Sequence, residues 1–350
     1  MTETSVINTV PTPVHLSLVI PCRQESKHIG TCLRSVLAFE PPPGGFEVIV
    51  ADGMSDDGTR EIVKRFAEED SRVRLVDNPA RVTPCGLNAG IRAARGEIIV
   101  RIDAHTEYAP DYICKCAEVL RETGASNVGG PWVARGKGYL QQCIAAAFNS
   151  PFAMGGARGH QKDYEGPVDT VYLGCWPRKV LEDLGMFDEE FVRNQDDELN
   201  LRLLRSGGTI TQSPRIRSWY TPRSSLAALV KQYFQYGYWK VRVIQKHRRP
   251  ASVRHLVPGS FAAALLLLLP ASAFSFAARI ALALLAAAYL LVLIPASVVT
   301  AARAGWKLLP VLPAVMACYH LGYGFGFLFG VWDFLICRRG TGRLVALTRK

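Results

Sequence analysis

Glu97-Ile98-Ile99-Val100-Arg101-Ile102-Asp103-Ala104-His105 is the stretch from which the fold is read. The run from Ile98 to Ile102 is β-branched and mostly apolar, and it follows a turn residue, Gly96. That pattern predicts a buried strand with an acidic tip. Open α/β sheets bind ligands outside the carboxyl ends of their strands. Asp103 is therefore a candidate contact for a hydroxyl-rich ligand or a metal-bound diphosphate. His105 follows two residues on and projects from the same face if the chain stays extended. An Asp-x-His triplet alone is an ordinary surface turn; its place in a series of strand-then-acid units raises it above that.

Working outward, Leu16–Ile20 reads as a short buried strand, stopped by Pro21. Ile29, Leu33, Val36 and Leu37 have helical spacing. Pro41-Pro42-Pro43-Gly44-Gly45 breaks the chain before a second strand, Phe46–Val50, which ends at Ala51-Asp52-Gly53. A helix is predicted from Thr59 to about Glu69, a third strand over Val73–Val76, and a helix from Thr83 that ends before Gly96. Strands and helices alternate with short connections. The fold class is α/β, a mainly parallel sheet with helices on both faces.

No Gly-x-Gly-x-x-Gly follows the first strand, and no Gly-x-x-x-x-Gly-Lys-Ser/Thr occurs. Dinucleotide-binding and P-loop chemistry are excluded on that ground. Such a sheet can still hold a nucleotide through carboxylates on ribose and base, with a divalent cation on the diphosphate. Mg²⁺ and Mn²⁺ take oxygen ligands, and Mn²⁺ also accepts imidazole.

Four motifs then agree in order and spacing: Val19-Ile20-Pro21-x-x-x-Glu25, Val50-x-Asp52-Gly53-x-Ser55-x-Asp57-Gly58-Thr59, Leu87-Asn88-Ala89-Gly90 and Asp103-Ala104-His105. Over residues 16 to 250 the chain resembles the family 2 glycosyltransferases, inverting enzymes of the GT-A, Rossmann-like fold. Within them it is similar to the bacterial exopolysaccharide glucosyltransferases of the succinoglycan type. The resemblance implies that Asp52 contacts the base of the nucleotide and that Pro21 and Glu25 contact the nucleoside. It implies that Asp103 serves ribose and metal, with His105 where the family has a second metal-binding Asp. The implied cofactor is Mn²⁺ or Mg²⁺, with the need for it left open by that His. Asp57 reads equally as a site acid or as the acid of an ordinary turn.

Farther along, Asn127–Pro131 reads as a strand with a glycine break and Tyr139–Phe148 as a helix. Residues 149–170, rich in Gly, Arg and His, read as a functional loop. Tyr172–Arg178 is expected to open a helix that runs through Leu184. The family's acceptor lies near here, so Trp176 stands as a ring to stack on a sugar or, equally, as a packing residue. Asn194-Gln195-Asp196-Asp197-Glu198 opens an amphipathic helix. Acids there suit the helix dipole. Transfer to a hydroxyl also needs a base. Alignment with the family's acid pair places Asp196 as that base, Asp197 as the close alternative and Glu198 as a later acid. Gln232-x-x-Gln235-Tyr236 stands where processive relatives carry Gln-x-x-Arg-Trp. That departure favours addition of a single sugar, with Gln232 at the acceptor; an interfacial amphipathic helix is the other reading of this stretch.

The 350 residues carry a net charge of +11, with 49% hydrophobic residues spread unevenly. Charge is almost absent from Pro258 to Leu335. Runs at 258–278 and 280–301 are long enough to span a bilayer, which needs about 20 residues. A third, 308–335, contains Pro310, Pro313 and several glycines and reads as a crossing or as a re-entrant or interfacial segment. The expected organisation is a polar tail (1–15), a catalytic domain (16–250), membrane helices (251–336) and a basic tail (337–350). Lys240, Arg242, Lys246 and Arg254 precede the first run, so the positive-inside rule puts the catalytic part in the cytoplasm at the plasma membrane. The expected partners are a nucleotide sugar (a UDP-hexose), a lipid-linked saccharide acceptor and membrane lipids. Nucleic acid is excluded, because no aromatic-basic pattern or zinc-finger spacing occurs. The nine cysteines include no Cys-x-x-Cys and read as reduced thiols. A polyprenyl-phosphate glycosyltransferase and a nucleotide-binding membrane scaffold are the competing functions.

Overall fold

The computed structural model describes residues 16–156, 158–250 and 252–339. The expected N-terminal tail and most of the basic C-terminal tail lie outside these residues. The chain begins with β1 (Leu16–Cys22), α1 (Ile29–Leu37), β2 (Phe46–Asp52), α2 (Thr59–Glu69), β3 (Val73–Asp77), α3 (Thr83–Ala93) and β4 (Ile98–Arg101). Then come β5 (Thr106–Tyr108), α4 (Tyr112–Thr123), β6 (Asn127–Gly130), α5 (Tyr139–Phe148), β7 (Gly166–Pro167), β8 (Tyr172–Pro177), α6 (Arg178–Asp183) and α7 (Gln195–Arg205). The chain closes with β9 (Ile210–Gln212), β10 (Ser218–Tyr220), α8 (Leu226–His247), α9 (Val257–Ala271), α10 (Phe276–Ala304) and α11 (Leu312–Gly330).

The main sheet runs β3-β2-β1-β4-β8-β6-β9-β7. Its first four strands are parallel, and β8 joins β4 antiparallel. The chain winds from β1 out to β3 and returns to β4 on the other side of β1. The order therefore reverses between β1 and β4, which is where such sheets open a crevice. Register pairs Val19 with Arg101, so Pro21 and Asp103 leave neighbouring strand ends together. Leu16, Leu18, Ile20, Val48 and Val50 are fully buried on one face, and Val19 and Ile49 on the other. Burial on both faces is why these strands read as continuous apolar runs. β5 and β10 form a separate antiparallel ribbon.

Tyr172–Pro177 is a strand, not the expected start of a helix. Its apolar run is shorter than a helix requires, and it fills the slot beside β4. Helix begins only at Arg178.

Among the described residues, three helical segments are long and apolar enough to cross a membrane: Val253–Ala271, Phe276–Ala304 and Leu312–Ile336. Leu267 and Leu291 stand exposed on the first two, and Phe274 on the turn between them, as a lipid-facing surface requires. The third run is a continuous helix that passes into a π-helical turn at Val331–Ile336. Pro313 sits in its first turn, where proline is tolerated. This helix packs along α8 at backbone contact. A Cβ added at Gly237 of α8 would lie 2.0 Å from the Tyr323 carbonyl oxygen, and one at Gly326 of α11 would lie 2.0 Å from that of Phe234. Small residues that admit such approach are the usual means of packing helices in membranes. α8 is thus not an isolated interfacial helix. It lies between α11 and the catalytic sheet domain.

Gly237→Ala and Gly326→Ala should each destabilise the protein by about 1–3 kcal/mol, as overpacking does, read by thermal melting in detergent. Gly30→Ala in α1 should leave stability unchanged or raise it, because its nearest contact, Ile62 Cγ2, is an ordinary 3.6 Å away.

Candidate active site

Two loops at the strand ends build the first wall. Asp52 is fully buried, and its carboxylate accepts from Ser55 Oγ (2.6 Å), Ser55 N (2.9 Å) and Arg60 Nη1 (2.9 Å). The loop so held receives its neighbour: Gln24 N donates to Ser55 Oγ, Glu25 N to Thr59 Oγ1 and Ser26 N to Asp57 Oδ2. Asp57 also accepts from Thr59. Burial opposes its charge, but these hydrogen bonds hold its carboxyl at about 2. The Asp-Gly-x-Ser-x-Asp-Gly-Thr motif is therefore a frame for Pro21 and Glu25. Asp52 does not face the cavity as expected; both its oxygens serve the frame. Asn88, from the Leu-Asn-Ala-Gly motif, is likewise structural. It donates to the Phe187 carbonyl (2.8 Å) and accepts from Phe187 N (3.0 Å), tying α3 to the segment that leads into α7.

Beyond Ile102 the chain does not stay extended. Thr106 N donates to the Asp103 carbonyl (3.2 Å), closing a turn. Tyr108 Oη accepts from Asp103 N (2.8 Å) and donates to the Asp103 carbonyl, clamping that turn from below. His105 is thereby swung toward Glu25, with Nδ1 3.7 Å from Oε1. Glu25 first, and Asp103 after it, raise the imidazole above its ordinary range against the effect of burial. Arg101 reaches Asp103 at 3.2 Å.

These groups line one cavity of about 490 Å³. It brings together Pro21, Glu25, Asp103, His105, Asp196 and Gln232. The sequence reading missed Asn78, Arg81, Arg101 and Arg193, which line it too. Arg101 carried a signal, since it is a lone charge inside an apolar strand. The others carried none. Trp176 is not in this cavity. It is 2% exposed and packs edge-on against Phe187 in the core below the sheet. Its expected role at the acceptor is corrected to packing. The aromatic wall is instead Trp132, stacked on Tyr172 at 5.1 Å and on His160 at 5.6 Å. Gln232 is held by Tyr220, Arg223 and Tyr236.

No group of three or more His, Cys, Asp or Glu side chains is placed to hold a metal ion among the described residues. Asp103 and His105 supply one carboxylate and one imidazole at the cavity wall. That donor set fits an ion that takes its remaining ligands from substrate phosphates, as Mg²⁺ and Mn²⁺ commonly do.

Residues 17–180 match the glycosyl transferase family 2 profile. The succinoglycan biosynthesis protein ExoA of Rhizobium meliloti is 32% identical over 243 residues, 69% of this chain and 73% of the relative. The chain belongs to glycosyltransferase family 2. A second relative, from Methanococcus voltae, is 27% identical over 66% of this chain and 74% of its own length. It is a dolichyl N-acetyl-alpha-D-glucosaminyl phosphate 3-beta-D-2,3-diacetamido-2,3-dideoxy-beta-D-glucuronosyltransferase. Among solved structures, mannosyltransferase PcManGT from Pyrobaculum calidifontis, in complex with GDP-Man and Mn²⁺, superposes with a TM-score of 0.61 at 20% identity. The likeness covers 92% of this chain and 88% of that one and shows the GT-A-like fold.

In this glycosyltransferase the two acids opening α7 stand in different fields. Asp197 is 2.5 Å from Lys240 of α8. Burial opposes its charge, but the ammonium outweighs that and holds its carboxyl below the usual range. Among the described residues, Asp196 has no such cation in contact. Burial, then the like charge of Asp197, push it above its usual range, with Arg101 pulling the other way. Divergent acidities in one pair are how a site separates a proton acceptor from a fixed charge. Glu198 points away and is fully buried, bound to Arg202 (2.8 Å) and Lys246 (2.7 Å). The basic residues that precede the first apolar run are committed to carboxylates: Lys240 to Asp197, Arg242 to Glu190, Lys246 to Asp188 and Glu198, and Arg254 to Asp169.

A base works deprotonated, so activity should fall as pH drops through the raised pKa of Asp196. The acid limb of the rate profile should lie above the ordinary aspartate value of 3.8. Asp197→Asn removes the like charge and releases Lys240, and both changes should move that limb to lower pH. A limb that stays put or moves up would contradict the assignment.

Proposed function

We propose that this enzyme moves a hexose, glucose from a UDP-sugar, to a hydroxyl of a polyprenyl-diphosphate-linked saccharide in exopolysaccharide or cell-envelope glycan synthesis. The observation that carries this reading is the position of Asp196. Among the described residues it is the one acidic side chain that lines both the strand-end cavity and a second cavity facing the membrane helices. A donor in the first and an acceptor in the second would meet at this carboxylate. The acceptor oxygen forms its bond to the anomeric carbon and Asp196 takes the hydroxyl proton. The bond to the diphosphate breaks, the nucleoside diphosphate leaves, and configuration inverts. Arg101 and Arg193 would face the departing charge. A divalent ion, held by Asp103 with His105 beside it, would neutralise negative charge on that diphosphate.

Three further observations support the lipid-linked acceptor. The Methanococcus relative is named for transfer to a dolichyl sugar phosphate. The three apolar helices would hold the enzyme at the membrane. A phosphate acceptor would need no base, whereas Asp196 is tuned as one. On this reading the membrane is the plasma membrane, with the catalytic part on the cytoplasmic side where nucleotide sugars are made.

Asp196→Asn should lower kcat by about 10²–10⁴ while donor affinity stays near wild type. Normal turnover by Asp196→Asn with a dead Asp197→Asn would reassign the base. Asp103→Ala should abolish activity and weaken donor binding by calorimetry. Excess chelator should stop turnover, with Mn²⁺ restoring it at least as well as Mg²⁺ because imidazole favours Mn²⁺. Full turnover in chelator would remove the metal.

A further inference from the structure

The cavity on the membrane side holds about 370 Å³ and is walled by α8, α11, the start of α9, residues 152–155 and His160. Eight buried side-chain polar atoms lack a hydrogen-bond partner among the described residues. Four of them belong to residues lining this one cavity: Trp132 Nε1, His160 Nδ1, His255 Nδ1 and Tyr323 Oη. Buried polar groups are paired as a rule, so such a concentration needs an explanation. All four can donate a hydrogen bond. Arg254 lines the same cavity and spends one guanidinium nitrogen on Asp169, leaving other donors of its fork for a ligand. Donors thus converge with few acceptors, apart from Asp196 and Asp197 at the catalytic end. The ligand they suit is anionic and rich in acceptor oxygens. The rest of the wall is apolar, with Phe152, Met154, Val257, Pro258 and Tyr319. Two of the donors, His255 and Tyr323, come from the segments that could cross the membrane.

We propose that this cavity seats the phosphate-bearing headgroup of a lipid-linked acceptor, with His160, Arg254, His255 and Tyr323 as its donors. α9 and α11 thereby complete the active site and do more than anchor it. The inference rests on the proposed lipid-linked acceptor and assigns residues to it. The diphosphate sits against the donors, the polyprenyl chain leaves along the apolar wall toward the membrane, and the attached sugar reaches Asp196.

The test uses the full chain in detergent and farnesyl diphosphate as the probe, without any donor, by calorimetry. Tyr323→Phe and His255→Phe together should weaken its binding roughly tenfold or more, as loss of hydrogen bonds to a charged ligand does, with melting temperature and UDP-sugar affinity unchanged. His160→Phe, made in the loop, gives the same reading independently of the membrane segments. Farnesol and inorganic diphosphate should each bind more weakly than farnesyl diphosphate. Equal affinity of the variants and wild type for farnesyl diphosphate would overturn the proposal. So would inorganic diphosphate binding as tightly, which marks a site for the free ion, or farnesol binding as tightly, which marks an apolar slot. The function fails separately: a protein that binds farnesyl diphosphate as described, yet transfers no sugar to lipid-linked saccharides, upholds the site and refutes the reaction. Variants that transfer with wild-type KM for the acceptor refute the site and leave the reaction.

Discussion

The contact of α8 with α11, backbone against backbone at Gly237 and Gly326, is the constraint on which the rest depends. α8 carries Gln232 and Tyr236 into the strand-end cavity and Lys240 onto Asp197. It also receives Asn194 through the Tyr236 carbonyl at 3.1 Å, which fixes the residue that opens α7. Hold α8 against α11, and the two acids are set between the sheet and the apolar helices. Separate the helices, and Lys240 leaves Asp197 while the wall formed by Tyr319 and Tyr323 is lost. The catalytic sheet and the apolar helices therefore act as one piece of machinery. A shared apolar cluster containing Ile144 and Phe148 of α5, Leu229 and Tyr233 of α8, and Val315 and Tyr319 of α11 supports the same conclusion.

Electrostatics then sorts side chains that look alike in sequence. Asp52, Asp57, Asp103, Asp196, Asp197 and Glu198 are all acids beside motif residues. Arg60 and Ser55 take Asp52, and Thr59 and Ser26 take Asp57. Arg202 and Lys246 take Glu198, and Lys240 takes Asp197. A half-buried carboxylate with no cation in contact among the described residues is costly to ionise, and the proposed role of Asp196 as a base rests on that cost. The acids that are fully committed hold loops and helices in place, while Asp103, shared with Arg101, and Asp196 line the strand-end cavity.

The sheet's parallel half was legible because its strands are buried on both faces and its helices keep a 3.6-residue period. Tyr139–Phe148 and Thr59–Glu69 coincide with the helices read from sequence. β8 was misread because a six-residue apolar strand that runs directly into a helix has no turn signal of its own. That Asp103, Glu25 and Asp196 would gather at one cavity was legible because motif order placed them at strand and helix ends. Trp176 and Asp52 were misplaced for a common reason. Sequence gives the element a side chain sits on, but not which side of a loop or strand is open to a cavity. His160, His255 and Tyr323 were invisible. They lie far apart in the chain and meet only when α11 docks on α8.

The proposed reaction is a single displacement in which one carboxylate deprotonates the acceptor. The most direct measurement is the anomeric configuration of the new glycosidic bond by NMR. An α-configured nucleotide sugar should give a β-linked product, with no glycosyl-enzyme adduct in mass spectra of the protein during turnover. An α-linked product, or a covalent adduct on any carboxylate of the site, would contradict the account.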